Sequence, residues 1–236
     1  MNHSITHNYH NPLTVAGILL RDKSLYRAHV NLALRDRQLH GAVLDLGSKS
    51  PNASYYRYFR REEPLAVTCT DLAPGEGLVC LDVEKPFALD AESFDHVLAI
   101  NLFEHVRHFD RAPAEVLRIL KPGGRVIIVV PFLHEYHADP QDYFRYTDSG
   151  LRSIWESAGF ESGSIEALGD GILTFALTKT AQQVLPRFVR PLVSTLLYLL
   201  SYPFDRIVGL RPRVGGRSVP ERFPLGYVAV FRKPAP

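Results

Sequence analysis

The apolar positions of this chain come in two textures. Between residues 41 and 130 they form short continuous runs, at 43–46, 65–70, 78–81, 96–100 and 125–130, each bounded by polar or turn-forming residues. Runs of this length without apolar–polar alternation predict strands buried on both faces, as in a parallel sheet. Helices are expected between them. One contains Tyr55, Tyr56, Tyr58 and Phe59; another covers 111–120 and stops at Lys121-Pro122-Gly123-Gly124, which reads as a turn. A helix over 149–158, with Gly159 as its stop, precedes candidate strands at 163–168 and 226–232. Strands alternating with helices specify an α/β domain.

Two regions have a helical period instead. In residues 1–40, Leu19, Leu20, Tyr26, Val30, Leu32 and Leu34 recur at helical spacing, which predicts an N-terminal helical segment ahead of a domain over 41–236. An insertion at about 180–220 places Leu185, Phe188, Val189, Leu192, Leu196, Leu197, Leu199 and Leu200 on a broad apolar surface. Arg187, Arg190, Arg206, Arg211, Arg213, Arg217 and Arg222 surround it, against only Asp205 and Glu221. A lid, a homodimer contact and a peripheral contact with anionic lipid all fit this composition, and a buried lid or dimer helix fits best. The longest apolar stretch, 192–204, is shorter than the ~20 residues of a spanning helix and contains Pro203, so no membrane span is expected.

Composition adds exclusions. With 236 residues, 46% apolar and 22% charged, the chain has the balance of a globular protein. A formal net charge of +2 gives no support for a nucleic-acid partner. The two cysteines, Cys69 and Cys80, lie in apolar runs without metal-knuckle spacing and read as buried thiols of a reducing compartment. The first twelve residues lack the apolar core of a signal peptide. A cytoplasmic location is therefore expected, with 180–220 able to touch the inner face of a membrane.

Open parallel sheets bind ligands beyond the carboxyl ends of their strands. The residues placed there are Gly47, Asp71, Asp82, Asn101 and the stretch 131–137. Gly47 lets the backbone approach a ligand closely. A carboxylate after the second strand, Asp71, accepts from the hydroxyls of a ribose, and Asp82-Val83 suits an adenine amino group. Taken singly, each is also an ordinary turn or helix cap.

The segments VLDLGSKSPN, TCTDL, LDVEKPF, ESFDHVLAINLFEHV and LKPGGRVIIVVPF, in this order, resemble the successive motifs of class I S-adenosylmethionine-dependent methyltransferases over about residues 40–180. The likeness is closest to the small-molecule, type 11-like branch. It implies a Rossmann-like fold with a mostly parallel seven-stranded sheet and helices on both faces, and S-adenosylmethionine as cofactor. By the same resemblance Asp45 and Gly47, with Ser48 and Lys49 of the same loop, hold the methionine part. Asp71 and Leu72 fall at the ribose, Asp82 and Val83 at the adenine, and Asn101 and Leu102 under the sulfonium. One departure stands out: the family's Gly-x-Gly-x-Gly loop reads Gly47-Ser48-Lys49-Ser50-Pro51 here. The cofactor carries no phosphate, and Lys49 is placed to give its carboxylate a charge-assisted bond. Retained binding is the expectation; the alternative is a catalytically inactive scaffold. Pro51 and Asn52 occupy the place of a dinucleotide fingerprint's third glycine, which argues against a nicotinamide enzyme.

Methyl transfer is an in-line displacement in which the protein positions the acceptor and removes its proton. The loop at 131–147, PFLHEYHADPQDYFRYT, is dense in polar and aromatic groups that suit a small polar acceptor, above all a glycan or glycan precursor methylated on oxygen. It also resembles a subgroup of bacterial methyltransferases associated with glycan assembly, matching at His137, Pro140, Asp142, Arg145 and Thr147. His137 is the expected base. Asp142 orients it or binds acceptor, and Arg145 fixes Asp142 or an anionic group. His134 and Tyr143 are further acceptor contacts. Glu104 reads as a dipole partner opening the helix after the fourth strand, and His105 as a pocket wall. The plainer reading makes Asp142–Arg145 a salt bridge and Thr147 a helix cap. A metal site from His134, His137 and Asp139 has suitable chemistry, but three ligands on one loop rarely converge, and no metal is expected.

Overall fold

Seven strands hydrogen-bond into one sheet: β1 (Gln38–Leu46), β2 (Arg60–Asp71), β3 (Leu78–Cys80), β4 (Phe94–Ile100), β5 (Leu120–Pro131), β6 (Glu161–Leu168) and β7 (Gly226–Arg232), in the order β3-β2-β1-β4-β5-β7-β6. The computed structural model describes residues 10–35, 37–50, 52–210 and 217–235, with only the backbone at 219–220. The pairs β1/β2, β1/β4, β2/β3 and β4/β5 are parallel. Strand order reverses between β1 and β4, so the connections leaving their carboxyl ends diverge and open a crevice. Both strands are buried where they pair: Val43, Leu44, Leu46, Val97, Leu98 and Ala99 are almost fully enclosed, as are Val126–Val130 of β5. These are the continuous runs seen in the sequence.

Two compact units divide the chain, one of residues 34–165 and 227–236, the other of 1–33 and 166–226. The first holds the five amino-terminal strands together with α3 (Ala112–Ile119) and α4 (Asp148–Ser157). Thr147 caps α4, its side chain accepting from Gly150 N at 3.0 Å. Inside it, Trp155 packs against Phe103, Phe160 and Phe231.

The second unit is helical: α1 (Pro12–Leu19), α2 (Leu25–Leu34), α5 (Ile172–Val184), α6 (Arg190–Gly209) and the short α7 (Val219–Arg222). The N-terminal helices and the late helices thus belong to one body, and the late helical region begins at Ile172. Buried Asp170 holds it together, with its Oδ2 2.9 Å from both His29 Nε2 and Tyr198 Oη. Asp205 caps α5, accepting from Leu173 N and Thr174 N. Arg190 is paired with Asp22. Along α6, Leu192, Leu196, Leu200, Phe204 and Ile207 are exposed. No helix among the described residues is long and apolar enough to cross a membrane. Arg211, Arg213 and Pro51 lie outside the described residues.

Several local expectations are corrected. The segment around Tyr55–Tyr58 makes only a 3₁₀ turn, Tyr56–Tyr58, because both leading rings turn inward to a buried carboxylate. Lys121–Gly124 is not a turn but the first part of β5. Leu120 pairs with Phe94 and Arg125 with His96, so these residues bulge opposite Asp95 alone, and Lys121 Nζ reaches Asp95 at 2.7 Å. No helix opens at Glu104; Phe103–His105 is a 3₁₀ turn, and α3 starts later, at Ala112. Cys80, read as buried, is exposed on the short strand β3.

The carboxylate beneath the tyrosines is Asp45, fully buried near the end of β1 and bound by Tyr55 Oη and Tyr56 Oη at 2.5 Å each. Burial raises its pKa from 3.8 to about 6, against the opposing effect of the two hydroxyls. The folded protein therefore holds this proton more tightly than the unfolded chain. Stability falls as pH rises from about 4 to about 6, and the cost, about 3 kcal/mol, is complete above that window. Asp45→Asn should flatten this pH dependence and raise stability at pH 7–8, where its amide replaces a buried charge. Urea midpoints measured from pH 4 to 8 check this, and parallel curves for the two proteins would mean that another group titrates.

Candidate active site

The crevice at the carboxyl ends of β1 and β4 is built by two residues with left-handed backbone. Gly47 has φ 66°, a backbone conformation that strains any side chain, and a Cβ there would sit 2.8 Å from Leu102 Cδ1 and push that side chain aside. Asn101 has φ 53°, a conformation asparagine tolerates better than most residues, and its N–H donates to Val129 O at 2.8 Å. The chain thus turns away at once from both strand ends. Asp71 ends β2 and folds the following loop back, its Oδ1 accepting from Ala73 N at 3.0 Å. Asp82 does the same after β3, accepting from Glu84 N at 3.0 Å, with Lys85 Nζ 3.0 Å from its other oxygen. Lys85 and the Glu84 N–H hold the Asp82 carboxyl below its usual range, outweighing partial burial, which acts the other way.

These groups surround a cavity of about 820 Å³, within the size range of small-molecule sites. Of the residues expected at a cofactor, Gly47, Lys49, Asp71, Leu72, Asp82, Val83, Asn101 and Leu102 line it. Asp45 and Ser48 do not. The Asp45 carboxylate is enclosed under Tyr55 and Tyr56, so the expected hold on a methionine moiety cannot come from it. Lys49 is paired with Asp139 at the cavity wall. Pro140, matched in the 131–147 loop, also lines the space, as do Ala73, Pro74, Gly75 and Glu84, which were not anticipated from the sequence. They are ordinary loop residues until the turn after Asp71 folds back.

On the far wall stand His105 and Tyr143. The loop over 131–147 is tied to the 3₁₀ turn at Phe103–His105 by hydrogen bonds. Tyr143 N donates to Glu104 O at 2.7 Å, Tyr146 Oη donates to Phe103 O at 3.0 Å, and His105 Nδ1 lies 2.6 Å from Gln141 O. His137 is fixed by its N–H donating to Asp142 Oδ2 at 2.9 Å and by Nδ1, 3.1 Å from Glu135 O. Its Nε2 lies 3.7 Å from Glu104 Oε1, and the facing carboxylate raises the imidazole's pKa. Glu104 is wholly buried, not a surface dipole partner.

Asp142 and Arg145 act within the loop. Arg145 grips Asp142 at 2.5 and 2.6 Å and also donates to Phe144 O and Glu135 O, and this guanidinium holds the Asp142 carboxyl far below its usual range. Arg145 is therefore engaged with the loop rather than turned to an acceptor, while Asp142 orients His137. His134 stacks beside His137 with ring centroids 4.5 Å apart and does not line the cavity.

Residues 44–128 match the family described as a methyltransferase domain. No curated protein sequence matches the chain. Among solved structures, it resembles a phosphoethanolamine N-methyltransferase of Haemonchus contortus, in complex with phosphomonomethylethanolamine and S-adenosylhomocysteine, at TM-score 0.52 and 14% identity, over 89% of this chain and 52% of that one. This chain thus spans about half the length of that enzyme. The [4+2]-cyclase SpnF is similar at TM-score 0.58 and 15% identity, covering 99% of this chain and 89% of its own. A SAM-dependent methyltransferase from Archaeoglobus fulgidus is similar at TM-score 0.52 and 16% identity, covering 94% and 95%. At these identities the likeness to solved structures speaks for the fold alone. Residues 44–128 thus match a methyltransferase domain, and they lie in a fold shared with S-adenosylmethionine-dependent methyltransferases of known structure.

Proposed function

We propose that this crevice binds S-adenosylmethionine and that the protein transfers its methyl group to an oxygen of a small polar acceptor, a glycan or glycan precursor fitting best. One observation carries the reading: a single cavity joins Asp71 and Asp82 at one end to Asn101, His105 and Tyr143 at the other. Carboxylates at the ends of β2 and β3 suit the ribose hydroxyls and adenine amino group of an adenosyl cofactor. The methyl group then points past Asn101 toward His105 and Tyr143. An aromatic ring beside imidazoles suits a polyhydroxylated acceptor. The H. contortus structure, similar in fold, holds S-adenosylhomocysteine and phosphomonomethylethanolamine together, which supports such a division of the site.

In the transfer the O–CH3 bond forms as the S–CH3 bond breaks, the sulfonium becomes a neutral thioether, and the acceptor's hydroxyl proton must leave. His105 lines the cavity, and its ring lies 5.0 Å from that of His137. Both Nε2 atoms face Glu104 Oε1, at 3.8 and 3.7 Å. This cluster receives the proton, with His137 as its base and Asp142 as the group that positions it.

Two measurements test the reading. Asp71→Ala should weaken S-adenosylhomocysteine binding by tenfold or more in calorimetry, and an unchanged affinity would remove the cofactor from this cavity. With a panel of hydroxylated acceptors, His137→Gln should lower kcat by about 100-fold while leaving S-adenosylhomocysteine affinity intact. A variant that turns over at the wild-type rate would exclude His137 as base.

A further inference from the structure

Glu104, His105 and His137 each direct one donor atom into a common space, all within 4.8 Å of one another. Their hydrogen bonding leaves this space with an unusual character. His105 Nδ1 and His137 Nδ1 both face backbone carbonyls, of Gln141 at 2.6 Å and Glu135 at 3.1 Å. A ring nitrogen facing a carbonyl oxygen must be the donor, so in each neutral imidazole the Nε2 carries a lone pair. Those lone pairs face Glu104, a carboxylate that is 0% exposed and whose two oxygens have no hydrogen-bond partner. With both imidazoles neutral, three electron-pair donors therefore converge on one space. A buried carboxylate in this state is costly unless a positive charge joins it.

We infer that Glu104, His105 and His137 bind one divalent transition-metal ion of the zinc, cobalt or manganese kind. Two imidazoles and a carboxylate suit such ions, and a histidine ligand commonly donates its other ring nitrogen to a backbone carbonyl, as both do here. Tetrahedral bonds of about 2.1 Å would place the donors roughly 3.4 Å apart. The two separations from Glu104, 3.7 and 3.8 Å, require a small closure, and the two imidazole nitrogens lie within 4.8 Å of each other. Three protein ligands leave a coordination position open, and since His105 lines the cavity, that position serves the acceptor's oxygen. This last role rests on the acceptor placement proposed above. With the ion bound, it takes the place of the proton on His137, and the acceptor hydroxyl loses its proton to water on ligation. The ligand set drawn from the sequence, His134, His137 and Asp139, does not form: Asp139 is paired with Lys49, and His134 Nδ1 faces Glu135 O.

The test is a titration of the chelator-stripped full chain with Co²⁺, read by visible absorption and calorimetry, with S-adenosylhomocysteine binding measured in parallel. One equivalent of Co²⁺ should bind and give ligand-field bands. His137→Ala, His105→Ala and Glu104→Gln should each lower the affinity at least tenfold, while His40→Ala leaves it unchanged. The partly exposed His137 guards against misreading a folding defect in the buried Glu104 variant. Absence of a band and of binding heat overturns the site. So does binding that survives all three substitutions, for instance on His3, His7 and His10 near the N-terminus. Cofactor binding without metal binding overturns this inference alone, whereas loss of both removes the proposed function as well.

Discussion

The parallel pairing of β1 with β4 is the constraint on which the site depends. Val43–Leu46 of β1 pair residue by residue with His96–Ala99 of β4, so both strands deliver the chain to the same edge of the sheet. From there the connections must part, because β2 lies on one side of the pair and β5 on the other. The crevice follows from that divergence. Gly47 and Asn101 keep it open by turning the backbone sharply as each strand ends. Asp71 and Asp82 are placed at the rim because β2 and β3 run parallel to β1 and end at the same edge.

The opposite wall obeys a second constraint. The loop over 131–147 is anchored by Phe144 and Tyr146 against Phe109, and polar bonds fix the rest of it. It is tied to the turn at Phe103–His105, and internally it is clamped by Arg145, which joins Asp142 to the carbonyls of Glu135 and Phe144. The carbonyl of Glu135 gathers contacts from His134, His137 and Arg145. The imidazole of His137 is therefore held by its surroundings in one orientation, with Nε2 toward Glu104.

Much of the sheet was legible because burial on both faces demands continuous apolar runs, and these marked β1, β4 and the second half of β5. The polar first half of β2, Arg60–Pro64, was not legible, since exposed edge backbone imposes no hydrophobic pattern. Nor was the bulge at Lys121–Gly124, whose composition is that of a turn. In the site, Gly47, Asp71, Asp82 and Asn101 were legible from their positions at strand ends. Asp45 was misplaced because its burial under Tyr55 and Tyr56 depends on a local fold that the aromatic spacing disguised as a helix. Glu104 was undervalued for a related reason. Its partner His137 is more than thirty residues away, and only the folded loop brings them together.

The pairing of Lys49 with Asp139 has a consequence for recognition. Both side chains stand on the cavity wall and both remain partly solvated. Any anion that docks on the ammonium group does so by exchange, releasing one carboxylate as it contributes another. The net gain is the difference between two similar ion pairs, so this lysine can govern whether and how an anionic end is seated while adding little to the strength of the complex.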